Sequence, residues 1–225
     1  MTSIGFYTLL LSLHVALYDP ATSQHPTDAP VWNSPCTLTQ PATARGQMEA
    51  PAQLLPLNYI LRTMTDAARL ARHRARNTLR ALVSSEIRDQ WVIQYLNQAA
   101  SPKGFPPLHG HYSSQSLAES LAQDYERVSA MAVFVEQAEF DTNVMSYRPL
   151  LRMLYYDVSD LLCWLEQASL TVDQTVNYNI SRSIMEDSSK NLTNQSYRDQ
   201  RNFVILRDTV TLLHDLVQHY SRVRT

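Results

Sequence analysis

The amino-acid sequence predicts an all-α protein, an up-up-down-down four-helix bundle with two long crossover loops. Four segments carry apolar residues at steps of three and four, which is the spacing of one helix face. Roughly 28 residues follow the first and third segments, whereas about seven join the second to the third. A short link makes its two helices antiparallel neighbours, and the long links let the first two and the last two helices run parallel.

Local signals set the predicted helix boundaries. Ser116, with Glu119 three residues later, forms a capping box at the start of the second helix. Pro149 suits the first turn of the third helix, because a proline there removes no helical hydrogen bond. Prolines and glycines between residues 91 and 112 predict a connection. The predicted helices span residues 57–86, 116–140, 149–168 and 198–223.

The N-terminal stretch predicts export. Residues Ile4 to Leu17 are uncharged, have the length of a signal-peptide core and are too few to span a membrane. Ala21 and Ser23 satisfy the small-residue cleavage pattern, which places the mature N-terminus at Gln24. The alternative interpretation of this stretch is a buried helix. The predicted organisation is a signal peptide at 1–23, an extended Pro-rich arm at 24–56 and a helical domain at 57–225.

The composition limits the class of protein. The chain has 225 residues, 44% of them hydrophobic, and can bury one sizeable core. Its 19 basic and 21 acidic residues nearly balance, so nothing favours nucleic acid as a partner. No later apolar run is long enough for membrane insertion, which predicts a secreted, extracellular product. Cys36 and Cys163 are the two cysteines and can pair in only one way, so we expect a disulfide.

The sequence lacks the common catalytic motifs. It has no phosphate-binding glycine loop, no His-Glu-x-x-His, no Gly-x-Ser-x-Gly and no Cys-x-x-Cys. His109 and His111 lack a third ligand nearby, and protein zinc sites use three or four. We therefore expect no enzyme, no metal and no cofactor.

Three N-glycosylation triplets lie between the third and fourth predicted helices, at Asn179, Asn191 and Asn194. One such triplet arises easily by chance. Three in one polar loop, behind a signal peptide, favour an exposed extracellular loop and predict a glycoprotein.

Short segments of all four predicted helices resemble one family, the cytokines of leukaemia inhibitory factor, oncostatin M, ciliary neurotrophic factor and cardiotrophin-like cytokine. Leu161–Leu165 resembles the part of helix C in the first two whose cysteine pairs with one in the N-terminal arm. Leu70–Arg72 and Leu79–Leu82 are similar to helix A of ciliary neurotrophic factor, and Leu117–Leu121 is similar to its helix B. Phe203–Asp208 is similar to helix D of cardiotrophin-like cytokine.

The resemblance implies a secreted cytokine or growth factor that binds and cross-links cell-surface receptors of the interleukin-6 type. It implies the family's shared signal-transducing chain as one partner, JAK-STAT signalling as the output, and the leukaemia inhibitory factor receptor as a candidate second chain. The family grips that second receptor through a Phe-x-x-Lys motif at the start of helix D. Here the corresponding place reads Tyr197-Arg198-Asp199-Gln200-Arg201, without the motif.

Candidate receptor-binding residues lie on three parts of the predicted bundle. On the first helix the arginines recur every four residues and so share a face, for which a solvated surface and a polyanion site are the alternatives. The third helix and the tip at the start of the fourth supply the others, the tip because it combines aromatic and arginine residues. The candidates are Arg72, Arg76, Arg80, Arg152, Glu166, Tyr197, Arg198, Arg201 and Phe203.

A different class of protein remains an alternative on the sequence alone. Secreted α-helical carriers of lipids or small hydrophobic ligands also combine a signal peptide with amphipathic helices. A carrier needs an open apolar cavity of roughly 300 Å³ or more, whereas a cytokine bundle needs a close-packed interior.

Overall fold

The computed structural model describes residues 30–37, 55–144 and 146–223. Within these ranges the chain is all-helical, with six α-helices and no strand. The predicted signal peptide and most of the predicted arm lie outside the described residues. The helices are α1 (Leu57–Ser85), α2 (Gln90–Gln98), α3 (Leu117–Asp141), α4 (Arg148–Thr171), α5 (Asp187–Lys190) and α6 (Gln195–Val223).

The four long helices lie where the apolar stripes predict them, and their first turns follow local signals. The capping box of α3 is confirmed, since Glu119 N donates to Ser116 Oγ at 3.3 Å and Ser116 N donates to Glu119 Oε2 at 2.8 Å. Pro149 stands in the first turn of α4. Asn194 Oδ1 accepts from Ser196 N at 2.8 Å, so α6 begins three residues before the predicted start at 198.

The long helices pack around one apolar core. α1 packs against α4 and α6, while α3 packs against α4 and, less extensively, against α6. Ala71 and Ala75 of α1 are fully buried, and their small side chains allow neighbouring helices to approach closely. At the ends, Ser85 of α1 bonds to Ser146 just before α4 at 3.2 Å, and Tyr220 of α6 lies over the start of α3.

A short part of the predicted arm packs onto the bundle. Residues Val31–Asn33 and Pro35–Thr37 form two 3-10 turns, where the composition predicts no regular structure. Trp32 is fully buried; its indole N–H donates to Ile180 O at 2.7 Å, and its carbonyl accepts from Tyr125 OH at 2.7 Å. The predicted disulfide between Cys36 and Cys163 is confirmed, with Cα atoms 4.7 Å apart. The arm is thereby tied to α4 of the bundle.

Helix α2 is a feature that the sequence analysis assigned to a connection. Asp89 caps it by accepting from Trp91 N at 2.8 Å, and Leu96 is the residue it buries. Arg207 of α6 donates to Leu96 O at 2.6 Å and holds the end of α2 against the bundle. None of the helices in the described ranges is long and apolar enough to cross a membrane.

Candidate functional site

The start of α6 exposes one aromatic side chain beside arginines that are more buried. Tyr197 is 60% exposed. Arg198, half-buried, donates to Leu192 O at 2.9 Å and to Gln195 Oε1 at 2.7 Å, so it closes the turn that precedes the helix. The exposed tip predicted from the sequence is therefore centred on Tyr197.

The prediction that Arg201 and Phe203 lie on this exposed tip is wrong, because both face the bundle. Arg201 is 8% and Phe203 2% exposed. Arg201 Nη1 donates to Asp141 Oδ2 and to Ser189 O, both at 2.8 Å, and Nη2 donates to Asn202 Oδ1 at 2.8 Å. Its guanidinium thus joins α6 to the end of α3 and to α5. A charged residue such as Arg201 gives no sign of its burial in the sequence.

A second exposed patch lies where α1 packs beside α4. Leu70, Met153 and Tyr156 are 49%, 45% and 55% exposed. Arg74 lies between the two helices, paired with Asp157 and with its Nη1 3.6 Å from Met153 Sδ. Apolar and aromatic groups beside a partly buried ion pair make this side patch (Leu70, Met153, Tyr156) suitable for a protein partner. The sequence analysis missed this patch. The available signal was Tyr156, an aromatic residue that lies outside the apolar stripe of α4 and is therefore expected to be exposed.

Helix α2 carries a third exposed surface, formed by a pair of aromatic side chains. Trp91 and Tyr95 are 79% and 71% exposed and, being four residues apart, lie on one face of the helix. Asp89, followed by apolar residues at helical spacing, is the sequence signal that could have revealed this helix.

The other predicted candidates differ in their exposure and in their hydrogen-bond partners. Arg152 is exposed but donates to Glu139 Oε1 at 3.0 Å, and Glu166 accepts from Tyr178 OH at 2.6 Å. Arg76 and Arg80 are exposed on α1, and Arg72 is half-buried beside them. The structure does not bring the α1 arginines together with the tip.

All three predicted glycosylation asparagines are exposed. Asn194 uses its side-chain oxygen to cap α6, which leaves its amide nitrogen, the atom that a glycan modifies, free of that bond. Since Asn194 is one turn from Tyr197, a sugar there would stand beside the exposed tip.

A buried polar cluster fixes the loop between α2 and α3. Asp124 is fully buried and accepts from Arg127 Nη1 at 2.6 Å, from Tyr220 OH at 2.8 Å and from Tyr112 OH at 3.1 Å. Burial raises the pKa of Asp124 to about 6, against the opposing effects of Arg127 and the hydroxyl donors. The cluster joins α3, α6 and the loop residue Tyr112.

Asp215 extends this cluster along α6. Gly110 N donates to Asp215 Oδ2 at 2.9 Å, and Arg127 bonds to the same oxygen at 3.2 Å and to Pro107 O at 3.1 Å. The pKa of Asp215 is held below its usual range despite its burial, because Gly110, His109 and Arg127 all stabilise the charged form. These bonds attach the Pro- and Gly-rich loop to α3 and α6, which gives the loop a structural role.

The two long loops touch at Gly104. It has a φ of +89°, and a Cβ there would lie 1.9 Å from Ile184 O. Only glycine allows this approach, so the position holds the two loops together.

The interior offers little space for a ligand between α1, α4 and α6. The apolar space there has no room for a water molecule. Among the described residues, no group of three His, Cys, Asp or Glu side chains could hold a metal ion. Comparison of the chain with protein-family models, curated proteins and solved structures found no match.

Proposed function

We propose that this chain is a secreted cytokine that cross-links cell-surface receptors of the interleukin-6 type and triggers JAK-STAT signalling. The observation that carries the proposal is the presence of separate exposed aromatic or apolar patches on one helical body. The tip at Tyr197 lies at the start of α6, and the side patch (Leu70, Met153, Tyr156) lies where α1 packs beside α4. A protein with two such faces can hold two receptor chains at once.

We further propose the up-up-down-down arrangement for the four long helices. Contacts at both ends support it. The end of α1 lies beside the start of α4, through Ser85 and Ser146. The start of α3 lies beside the end of α6, through Asp124 and Tyr220. Both contacts fit antiparallel pairs.

Arg152 of α4 bonds to Glu139 of α3. Tyr155, farther along α4, bonds to Glu136, earlier in α3, as antiparallel neighbours do. Together the three pairs support a parallel arrangement of α1 and α3, with α2 and α5 in the crossover loops.

The disulfide and the exposed glycosylation triplets support export, because disulfides form and persist in oxidising compartments. The proposed partners are the shared signal-transducing chain and, as second chain, the leukaemia inhibitory factor receptor. Without the Phe-x-x-Lys motif, Tyr197 would supply the aromatic anchor at the tip. The α1 arginines form a further candidate surface.

The carrier alternative needs an open apolar cavity. The apolar space between α1, α4 and α6 has no room even for a water molecule, so it cannot hold a ligand that needs roughly 300 Å³. This favours the cytokine.

Two matched variants test the proposal. We expect Tyr197→Ala to weaken binding of one receptor ectodomain by about tenfold or more, because exposed aromatic anchors carry much of the energy of an interface. Met153→Ala with Tyr156→Ala should weaken the other receptor by a similar factor and leave the first unchanged. Surface plasmon resonance measures both, with circular dichroism as the folding control. If both folded variants bind every receptor as wild type does, the assigned surfaces are wrong.

A further inference from the structure

The exposed face of α1 carries a straight line of basic side chains, four arginines and one histidine. Between Leu57 and Ser85 the helix has six arginines and one carboxylate, Asp66, although the whole chain has a formal net charge of −2. Positive charge is thus concentrated on this helix. Its exposed basic residues recur at steps of seven, four, three and four, which is one helix face, and they are Arg62, Arg69, His73, Arg76 and Arg80.

This stripe (Arg62, Arg69, His73, Arg76, Arg80) is long and narrow. From residue 62 to residue 80 the helix rises about 27 Å. Neighbouring members stand one or two turns apart, so their charges form a nearly continuous row. The exposed apolar residues of α1, Tyr59 and Leu70, lie to one side of this row.

Three of the four arginines in the stripe lack a counter-charge among the described residues. Arg69 pairs with Asp66 at 2.6 Å. Among the described residues, no carboxylate lies within ion-pair distance of Arg62, Arg76 or Arg80. The charges of the row are therefore available to an external anion.

Arg72 flanks the stripe and adds an independent observation. Its Nε is buried and has no hydrogen-bond partner. Burial, followed by repulsion from Arg76, lowers the pKa of Arg72. Arg72 and Arg76 are one turn apart on α1, so an oxyanion bound beside them would offset the repulsion between them.

We propose that this α1 face binds a linear sulfated glycosaminoglycan of the heparan type. The extracellular setting of that ligand rests on the proposed function. Guanidinium groups bind oxyanions through paired N–H donors, and a row about 27 Å long fits an extended polyanion. A protein partner would instead need apolar or aromatic anchors in the centre of the face, and the stripe has none. The site would concentrate the protein at cell surfaces and leave the tip and the side patch free.

The test compares two triple variants of equal charge change on immobilised heparin. Arg62→Gln, Arg76→Gln and Arg80→Gln remove unpaired cations from the stripe. The control removes three exposed cations from elsewhere: Arg88→Gln, Lys103→Gln and Arg152→Gln. We expect the stripe variant to bind heparin at least about tenfold more weakly, and its slope of log Kd against log salt to fall by about two to three. The control variant should stay within about twofold of wild type.

Equal weakening of heparin binding in both variants would mean that net charge alone attracts heparin, and it would overturn the proposal. Unchanged heparin binding by the stripe variant would also overturn it. Receptor-ectodomain binding is measured in parallel. Loss of receptor binding with heparin binding retained would assign the stripe to a receptor instead. Failure of the wild type to bind any receptor, with the heparin result as expected, would overturn the proposed function and leave this site standing.

Discussion

Removing the disulfide with Cys36→Ser and Cys163→Ser is expected to lower the free energy of unfolding by about 5 kcal/mol. The bond closes a loop with a sequence separation of 127 residues. In the chain-entropy account, a cross-link over so long a loop removes much of the freedom of the unfolded chain. Urea denaturation of wild type and variant, both under non-reducing conditions, measures the difference.

Trp32→Ala in the oxidised protein is the companion experiment. It removes the buried anchor of the arm and keeps the covalent tie, so the two contributions can be separated. Reduced wild type should denature like the double serine variant. If the double serine variant loses less than about 1 kcal/mol of the free energy of unfolding, the arm is not part of the folded unit and the account is contradicted.

Arg201→Ala is expected to destabilise the protein by about 3 to 5 kcal/mol, the range for breaking a buried ion pair from one side. Asp141, 12% exposed, loses its cationic partner, and the oxygens of Ser189 and Asn202 lose their donors. Thermal and urea denaturation followed by circular dichroism measure the loss.

Tyr197→Ala is the matched control, one turn earlier on the same helix. Its side chain is 60% exposed, so we expect a change within about 0.5 kcal/mol. Equal stability of the two variants would contradict the burial of Arg201. The pair also separates folding from binding, because Tyr197→Ala should reduce receptor binding in a protein that stays folded.

The sequence predicted the framework well, because long amphipathic stripes and caps are local signals. The capping box of Ser116 and Glu119 acts within a few residues, and so does Pro149 in the first turn of α4. Neither signal needs tertiary information. The disulfide followed from the number of cysteines. Helix α2 was missed because it is short, and nearby prolines and glycines dominate the composition of its surroundings.

The candidate surfaces were harder to predict, because exposure depends on contacts between distant parts of the chain. Arg201 and Tyr197 look alike as interface residues in the sequence. The contacts of Arg201 with Asp141 of α3 and Ser189 of α5 give it a structural role, and they appear only in the folded chain. Trp32 stands in a Pro-rich segment typical of disorder, and its burial depends on Tyr125 and Ile180, far along the chain. Met153 and Tyr156 share a surface with residues of α1 only because α1 packs beside α4 in the fold.

The most direct test of the central claim is whether the purified mature chain holds two different receptor ectodomains at once. Size-exclusion chromatography with light scattering, on the chain mixed with the ectodomains of the shared signal-transducing chain and the leukaemia inhibitory factor receptor, measures the mass of the complex. The account predicts one complex containing both receptors, which Tyr197→Ala reduces to a complex with one. Failure of the wild-type chain to bind either ectodomain, or binding of the two only in mutually exclusive complexes, would contradict it.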